Sequence, residues 1–352
     1  MSPTKKNPAN GSVDLAALAE VVERFVGKRI VLFGDFVADE FQFGDISRVS
    51  REAPVLILRH RETRVVPGGG ANAANNLAAL GAKVSPVTVV GDDAVGDALA
   101  KQFRESGIET SGIVRAKNWS TPTKTRFLAG WAHTVAQQVL RVDREPGCPP
   151  PDATLAKVAA KLQGKSQKAD GLAVSDYGFG VASAAAVSKA IGQTKRKIPA
   201  TLDARYNLQA YARSGITAAT PNEAELEALH HTTIGRDVAE LEKRGLTTVK
   251  KMGLESLLVT RGRDGMALFE SDGKKVWHIP VHGSDQAVDV TGAGDTVLAA
   301  YTLSLACGAN SFEAAHIANI AGGLVVMKRG TAVVTRGELL AAIRGEVSGS
   351  AA

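Results

Sequence analysis

The stretch 288-VDVTGAGDTVLAA-300 sets two carboxylates, two glycines and a threonine into the seven positions from Asp289 to Asp295, then runs into an apolar segment. Apolar side chains at Val297, Leu298, Tyr301 and Leu305 recur at helical spacing, which predicts a helix beginning near Ala293. The first amides of a helix lack internal partners and carry the positive end of its dipole. With Gly292 and Gly294 presenting no side chain, an anion can approach those N–H groups closely. Asp295 then falls in the first turn beside that anion. A phosphate cradle next to a carboxylate suits phosphoryl transfer, in which the carboxylate takes a proton from an attacking hydroxyl. The plainer alternative is a helix start with acids near its positive end. The full D-x-T-G-A-G-D pattern is much more specific than the glycine pair alone.

The 352 residues are long enough for one large domain or two ordinary ones, and 44% apolar with 22% charged side chains is an ordinary globular balance. The net charge of +6 is a mild excess that suits an anionic small molecule. No basic run carries interleaved aromatics, so nucleic acid is not the expected partner. Cys148 and Cys307 lie far apart without a C-x-x-C, which argues against a disulfide framework or a zinc site. No apolar run reaches the roughly 18 residues of a membrane span, and the first twelve residues have no apolar signal region. The expectation is a cytoplasmic protein with no membrane partner.

Working outward, short apolar runs at 29–35, 86–93, 170–178, 197–205, 215–223 and 255–262 read as buried strands. Segments 71–82 and 94–107 read as helices, and each of the last four strands reads as followed by a turn and a helix. Strand–turn–helix repetition predicts an α/β fold: a mostly parallel central sheet flanked by helices on both faces. Segments 41–70 and 121–145 break the rhythm with strand-like alternation. They predict a small antiparallel β lid, inserted at about 41–67 and 121–145 of a domain spanning 13–346. Residues 1–12 read as a disordered tail and 347–352 as a flexible C-terminus.

No G-x-x-x-x-G-K-[ST] is present, which excludes a P-loop kinase. The G-x-G-x-x-A within 67-PGGGANAANNL-77 is a decoy for a dinucleotide fold, because that fingerprint belongs after the first strand and the first strand here carries "GDFVAD". The glycine turn, with Gly69, Gly70 and then Asn72, suits close approach of a polyol to the backbone. Asp35 and Asp39 follow the first strand, at the end of the sheet where such folds bind ligands. Carboxylates and an amide are natural partners of sugar hydroxyls, although Asp39 alone is equally readable as a helix cap or surface acid.

Both 67-PGGGANAANNLAALGA-82 and 288-VDVTGAGDT-296 resemble the two signatures of the ribokinase-like (phosphofructokinase-B) sugar kinase superfamily, in the right order and about 220 residues apart. "TPNEAELE" (220–227) and "VTRGRDG" (259–265) resemble its nucleotide-side motifs, and the likeness covers about residues 20–345. Within the superfamily, segments 34–58, 123–129, 137–145, 174–180 and 328–334 are most similar to the kinase domain of the D-glycero-β-D-manno-heptose-7-phosphate kinases. That resemblance implies ATP-dependent phosphorylation of the anomeric hydroxyl of a heptose 7-phosphate, on the way to nucleotide-heptose for surface polysaccharide. The chain has no room for the nucleotidyltransferase domain of many relatives, so a stand-alone kinase is expected. Another sugar kinase of the superfamily and a non-catalytic sugar or nucleotide sensor remain the alternatives.

Carried over by resemblance, Asp295 is the general base, and the amides of Gly292, Ala293 and Gly294 form the anion hole. Asn222 and Glu225 arrange Mg²⁺ and its waters. Thr260, Gly262 and Gly265 line the nucleotide site, with Asn319 on the adenine side. Asp35, Asp39, Gly69, Gly70 and Asn72 hold the sugar. A monovalent cation (K⁺) and a homodimer through the lid are compatible with the family pattern. Two departures stand out. The family commonly has lysine where this chain has Phe179, and a Pro–Lys pair where it has 203-DARYN-207. Arg126 and Arg141 fall on the lid, where an arginine suits a substrate that already carries phosphate. The alternative is that both pair with lid acids.

Overall fold

The computed structural model describes residues 13–131, 136–273, 275–283 and 287–345. The expected tail 1–12, the expected flexible C-terminus 347–352 and residues 132–135 of the expected second lid insertion lie outside the described residues. The strands are β1 (Arg29–Gly34), β2 (Phe36–Val49), β3 (Leu56–Gly69), β4 (Lys83–Gly91), β5 (Ile113–Ala116), β6 (Thr123–Gly130), β7 (Gln137–Arg144), β8 (Gly171–Asp176), β9 (Ala200–Ala204), β10 (Ala218–Ala219), β11 (Ser256–Thr260), β12 (Met266–Glu270) and β13 (Val276–Ile279). The helices are α1 (Leu15–Glu23), α2 (Gly70–Ala79), α3 (Ala94–Glu105), α4 (Asp152–Ser166), α5 (Ala184–Gly192), α6 (Glu223–His230), α7 (Val238–Met252), α8 (Ala293–Ala306), α9 (Ser311–Val325) and α10 (Arg336–Ile343).

Nine strands form the main sheet in the order β13-β12-β11-β10-β9-β8-β1-β4-β5. From β5 to β11 every pair is parallel. The run 29-RIVLFG-34 is apolar without alternation because β1 is central and covered on both faces. Its Ile30 and Leu32 enter the core under α2, α8 and α9, whereas Val31 and Phe33 enter the core under α4, α5 and α7. Two expected helices are absent. After β9 there is only the 3₁₀ turn Leu208–Tyr211, and β11 leads through Gly262–Asp264 into β12, which returns antiparallel.

The lid is a four-stranded sheet in the order β3-β2-β6-β7. Its hairpins are antiparallel, but β2 and β6 pair in parallel from Ala38↔Thr123 to Asp45↔Gly130. The expectation of an all-antiparallel lid is corrected there: the two insertions leave the main sheet side by side and in the same direction. The strands also run past the expected 41–67 limits, from Phe36 to Gly69.

Helix α8 carries the opening motif into the centre of the molecule. Its Asp295–Ser304 segment is buried throughout, as for a helix packed on all sides. Burial of Leu298 and Tyr301 contributes about 1.5–3 kcal/mol per large apolar side chain. That packing anchors the first turn of α8 at the C-terminal ends of β8, β9 and β11.

Candidate active site

Gly292 caps α8 with φ +79°, and a Cβ there would sit 2.4 Å from Asn72 Nδ2. Only glycine meets both demands without strain. Three positions on, Asp295 is buried. Its Oδ2 accepts from Asn72 Nδ2 at 2.9 Å and its Oδ1 from the Tyr177 hydroxyl at 3.1 Å. Asn72 is itself fixed: Asn76 Nδ2 donates to its Oδ1 at 3.2 Å, and the Thr296 hydroxyl donates to Asn76 Oδ1 at 3.0 Å. Burial pushes the Asp295 carboxyl up to about 7, against the pull of those two donors. Tyr177 is pushed well above the usual phenol range by burial and by the charges of Asp295 and Asp203, so it remains a donor. Asp295 is thus a held carboxylate poised to exchange a proton near neutral pH, as a general base needs. Asp289, its companion in the motif, does something else. It accepts from Thr291 N–H and from Gly330 N–H, both at 2.9 Å, and ties the turn before α8 to the loop after α9.

Cavities flank this point. One of about 440 Å³ is lined by Thr260, Gly262, Gly265, Asn319, Ala293 and Gly294. It brings the four expected nucleotide-side residues to the N-terminus of α8. Next to it, a cavity of about 310 Å³ is lined by Asp176, Asp203, Arg205, Asn222, Glu225 and Gly294. Asn222 and Glu225 form a capping box on α6: Glu225 N–H donates to Asn222 Oδ1 at 2.8 Å, and Asn222 N–H to Glu225 Oε2 at 2.9 Å. The sequence pattern therefore serves the helix start, and Glu225 also presents its carboxylate to the cavity. Burial and the charges of Glu225, Asp295 and Asp176 push Asp203 well above the usual carboxylate range. Among the described residues no group of three acidic, His or Cys side chains stands at ligand spacing. Asp203, Asp176 and Glu225 still offer hard oxygens to one cavity and repel one another. That donor set fits a hydrated divalent cation held partly through its waters.

Several expected contacts are corrected. Asp35 is buried and its oxygens accept from the N–H groups of Tyr177 (2.9 Å), Phe179 (3.0 Å) and Val181 (3.0 Å). It clamps the loop after β8 instead of facing a sugar. At Gly69 and Gly70 the protein itself makes the close approach: a Cβ on Gly69 would touch the Tyr177 ring at 3.1 Å, and one on Gly70 the Asp35 carbonyl at 2.7 Å. The missing side chains make room for protein. Asn72 Nδ2 donates to the Asp295 carboxylate. The Ala293 amide donates to Val290 O at 3.2 Å, so of the expected anion hole it closes a turn here. Asp39 is buried, ion-paired with Arg126, and accepts from the Thr331 hydroxyl at 3.2 Å. Arg141 donates to Asp143 on its own strand at 2.7 Å. Both lid arginines therefore pair with lid acids, Arg126 across strands and Arg141 two residues along.

The profile of the pfkB family carbohydrate kinases matches residues 28–336. The chain belongs to that family. As a pfkB kinase it is an ATP-dependent carbohydrate kinase. It is 35% identical over 333 residues to the bifunctional protein HldE of Paramagnetospirillum magneticum, covering 95% of this chain and 67% of that one. Against the Geobacter metallireducens protein of the same name it is 38% identical over 311 residues, covering 88% and 62%. The chain thus spans about two thirds of the length of these curated relatives. Among solved structures it is similar to Arabidopsis thaliana ribokinase complexed with ribose and ATP (TM-score 0.68, 20% identity, 91% of this chain and 99% of that one). It is also similar to Escherichia coli phosphofructokinase-2 in complex with fructose-6-phosphate (TM-score 0.71, 18% identity, the same shares). At that identity the structural likeness carries the fold.

Sequence reasoning did not assign site roles to Tyr177, Asp176, Asp203, Arg205, Lys124 or Asn76 in this pfkB kinase. Four of them follow a readable rule. Asp176 and Tyr177 close β8, and Asp203 and Arg205 close β9, at the strand ends where open α/β sheets bind ligands.

Proposed function

We propose that the chain transfers the γ-phosphoryl group of ATP to the anomeric (C1) hydroxyl of D-glycero-D-manno-heptose 7-phosphate, giving the 1,7-bisphosphate for nucleotide-heptose synthesis. The observation that carries the chemistry is Asp295, buried at the α8 N-terminus between the apolar cavity at Asn319 and the lid. The identity to HldE proteins over most of the chain supports the choice of sugar.

In this reading the adenine lies in the cavity at Asn319, whose Nδ2 donates to Pro280 O at 2.8 Å and is thereby oriented. The nucleotide phosphates extend past Gly294 towards Glu225 and Asp203. Mg²⁺ bound there would neutralise phosphate charge, with Glu225, Asp203 and Asp176 orienting it or its waters. Asp295 accepts the proton of the attacking sugar hydroxyl. The N–H groups of Gly292 and Gly294, at the positive end of α8, stabilise the charge that develops on the transferred group. The lid covers the acceptor and keeps water from competing with it. Exposed Val139, Leu140 and Val142 on β7 support pairing of two lids in a homodimer.

An ADP-release screen across heptose 7-phosphate, heptose, fructose 6-phosphate, fructose, ribose and adenosine tests the proposal. Heptose 7-phosphate should have the highest kcat/KM, with phosphate appearing on C1 by ³¹P NMR. A better rate with any other acceptor ends the heptose assignment and leaves the family assignment standing.

A further inference from the structure

We propose that Asp35 is a positioning residue for the phosphoryl transfer: it fixes the two segments from which the Asp295 carboxylate receives its hydrogen bonds. This rests on the reading of Asp295 as the base and goes further by naming what keeps the two donors of that base in place.

The donors come from different parts of the fold. Tyr177 opens the loop between β8 and α5, and Asn72 lies in the first turn of α2. The loop has little else to hold it. Its 177-YGFGV-181 run forms no helix or strand, and Gly178 and Gly180 both take positive φ, +82° and +87°. Two glycines leave such a backbone many alternative paths. Its amides are nevertheless accounted for. Gly178 N–H donates to Asp176 Oδ1 at 2.9 Å. The N–H groups of Tyr177 and Phe179 converge on Asp35 Oδ2, and that of Val181 goes to Asp35 Oδ1. Three charge-assisted bonds from one short loop to a carboxylate that is 1% exposed define the path of that loop.

The main chain of Asp35 makes the remaining connections. Its N–H donates to Ser175 O at 2.9 Å, on β8 just before the loop, and its carbonyl accepts from Gly70 N–H at 3.2 Å, the first residue of α2. One residue at the end of β1 therefore joins the loop that carries Tyr177 to the helix that carries Asn72. The two side chains meet on Asp295, at 3.1 Å and 2.9 Å. The Tyr177 ring, 5.3 Å from the Lys124 ammonium, is set by the same backbone. A supporting contact of this kind decides whether a reacting group stays in its productive geometry.

Asp35→Asn separates this role from two others. It keeps the size of the side chain and the main-chain link to Gly70, but turns one acceptor towards an N–H as a donor, so the loop slackens. Loss of the Tyr177 donor raises the pKa of Asp295, whereas removal of a nearby negative charge alone would lower it. Asp39 and Lys124, whose charges also bear on Asp295, stay in place. A purely structural role lowers the amount of folded enzyme and leaves the pH profile where it was.

The test is the acid limb of kcat/KM at saturating ATP, measured by ADP release over pH 5.5–9.5 with the acceptor that the screen above ranks first. Wild type, Asp35→Asn, Tyr177→Phe and the double variant are compared. The limb should rise in Asp35→Asn by about 1 unit from near 7, which makes the variant about 5-fold slower at pH 7 and restores most of the rate by about pH 9.5. In the Tyr177→Phe background, Asp35→Asn should add no more than about 0.3 unit, because the two changes break one chain of contacts. If Tyr177→Phe moves the limb and Asp35→Asn leaves it in place, lowers it, or adds its full shift in the double variant, the proposal is overturned. If Tyr177→Phe itself leaves the limb unmoved, the hold of that hydroxyl on Asp295 is refuted first and the proposal falls with it. Should Asp35→Asn fail to fold, replacing Tyr177 by its α-hydroxy acid removes only the N–H that donates to Asp35. The limb should again rise, and an unmoved limb overturns the proposal.

Discussion

Tyr177→Phe removes one hydroxyl from the site and keeps the ring under Lys124. In the wild type that hydroxyl donates to Asp295 Oδ1 at 3.1 Å, and the buried carboxyl sits at about 7. A hydrogen bond to a charged group contributes about 1.5–3 kcal/mol, and one pKa unit is about 1.4 kcal/mol. Loss of the donor should therefore raise the Asp295 pKa by about 1–2 units. Only the ionised carboxylate can accept the proton. The acid limb of kcat/KM for the sugar should then move from near 7 in the wild type to roughly 8–9 in the variant. At pH 7 the variant should be about 5- to 50-fold slower, and most of the loss should be regained by about pH 9.5. The assay is ADP release across pH 5.5–9.5 at saturating ATP. An acid limb that stays in place, or a loss that is equal at every pH, would show that Tyr177 does not set the basicity of Asp295.

Asp295→Asn should stabilise the fold while removing its function. The carboxyl at about 7 lies above the 3.8 of an ordinary aspartate, so the folded state binds more protons and loses stability as pH rises from about 4 to 7. Three units correspond to at most about 4 kcal/mol. The variant should melt a few degrees above the wild type at pH 8 and show a much smaller gain at pH 4, by differential scanning fluorimetry. Glu225→Gln should raise the Mg²⁺ concentration for half-maximal rate, because an oriented carboxylate becomes a neutral amide. It keeps an oxygen for Asn222 N–H, so Tm should change little, and an unmoved Mg²⁺ titration would remove Glu225 from the metal site.

The fold was legible where local pattern and tertiary demand agree. Central β1 shows as an unbroken apolar run, and α8 shows as a glycine turn followed by helical spacing. Thr260, Gly262, Gly265 and Asn319 were assigned to one side of the site, and they do line one cavity. What escaped depends on partners distant in sequence. A carboxylate at a strand end can face a ligand or the amides of a neighbouring loop, and Asp35 chose the loop 142 to 146 residues away. Gly69 and Gly70 announce a close approach without saying that the visitor is Tyr177 and the Asp35 backbone. Arg126 looked available because Asp39 lies on another strand, joined to it by a parallel pairing that no hairpin pattern reveals. After β11 the short turn through Gly262–Asp264 returns the chain antiparallel into β12, whereas the longer segment from β9 to the parallel β10 forms only the 3₁₀ turn Leu208–Tyr211.

The central claim is that Asp295 takes the proton of the sugar hydroxyl at the N-terminus of α8. Single-turnover phosphorylation of heptose 7-phosphate by Asp295→Asn, with ATP affinity measured in parallel by calorimetry, tests it most directly. The side chain keeps its size and loses its basicity, so the rate of the chemical step should fall by roughly 10²-fold or more while ATP binds within about threefold of wild type. A fall of less than tenfold with ATP binding intact would contradict the account.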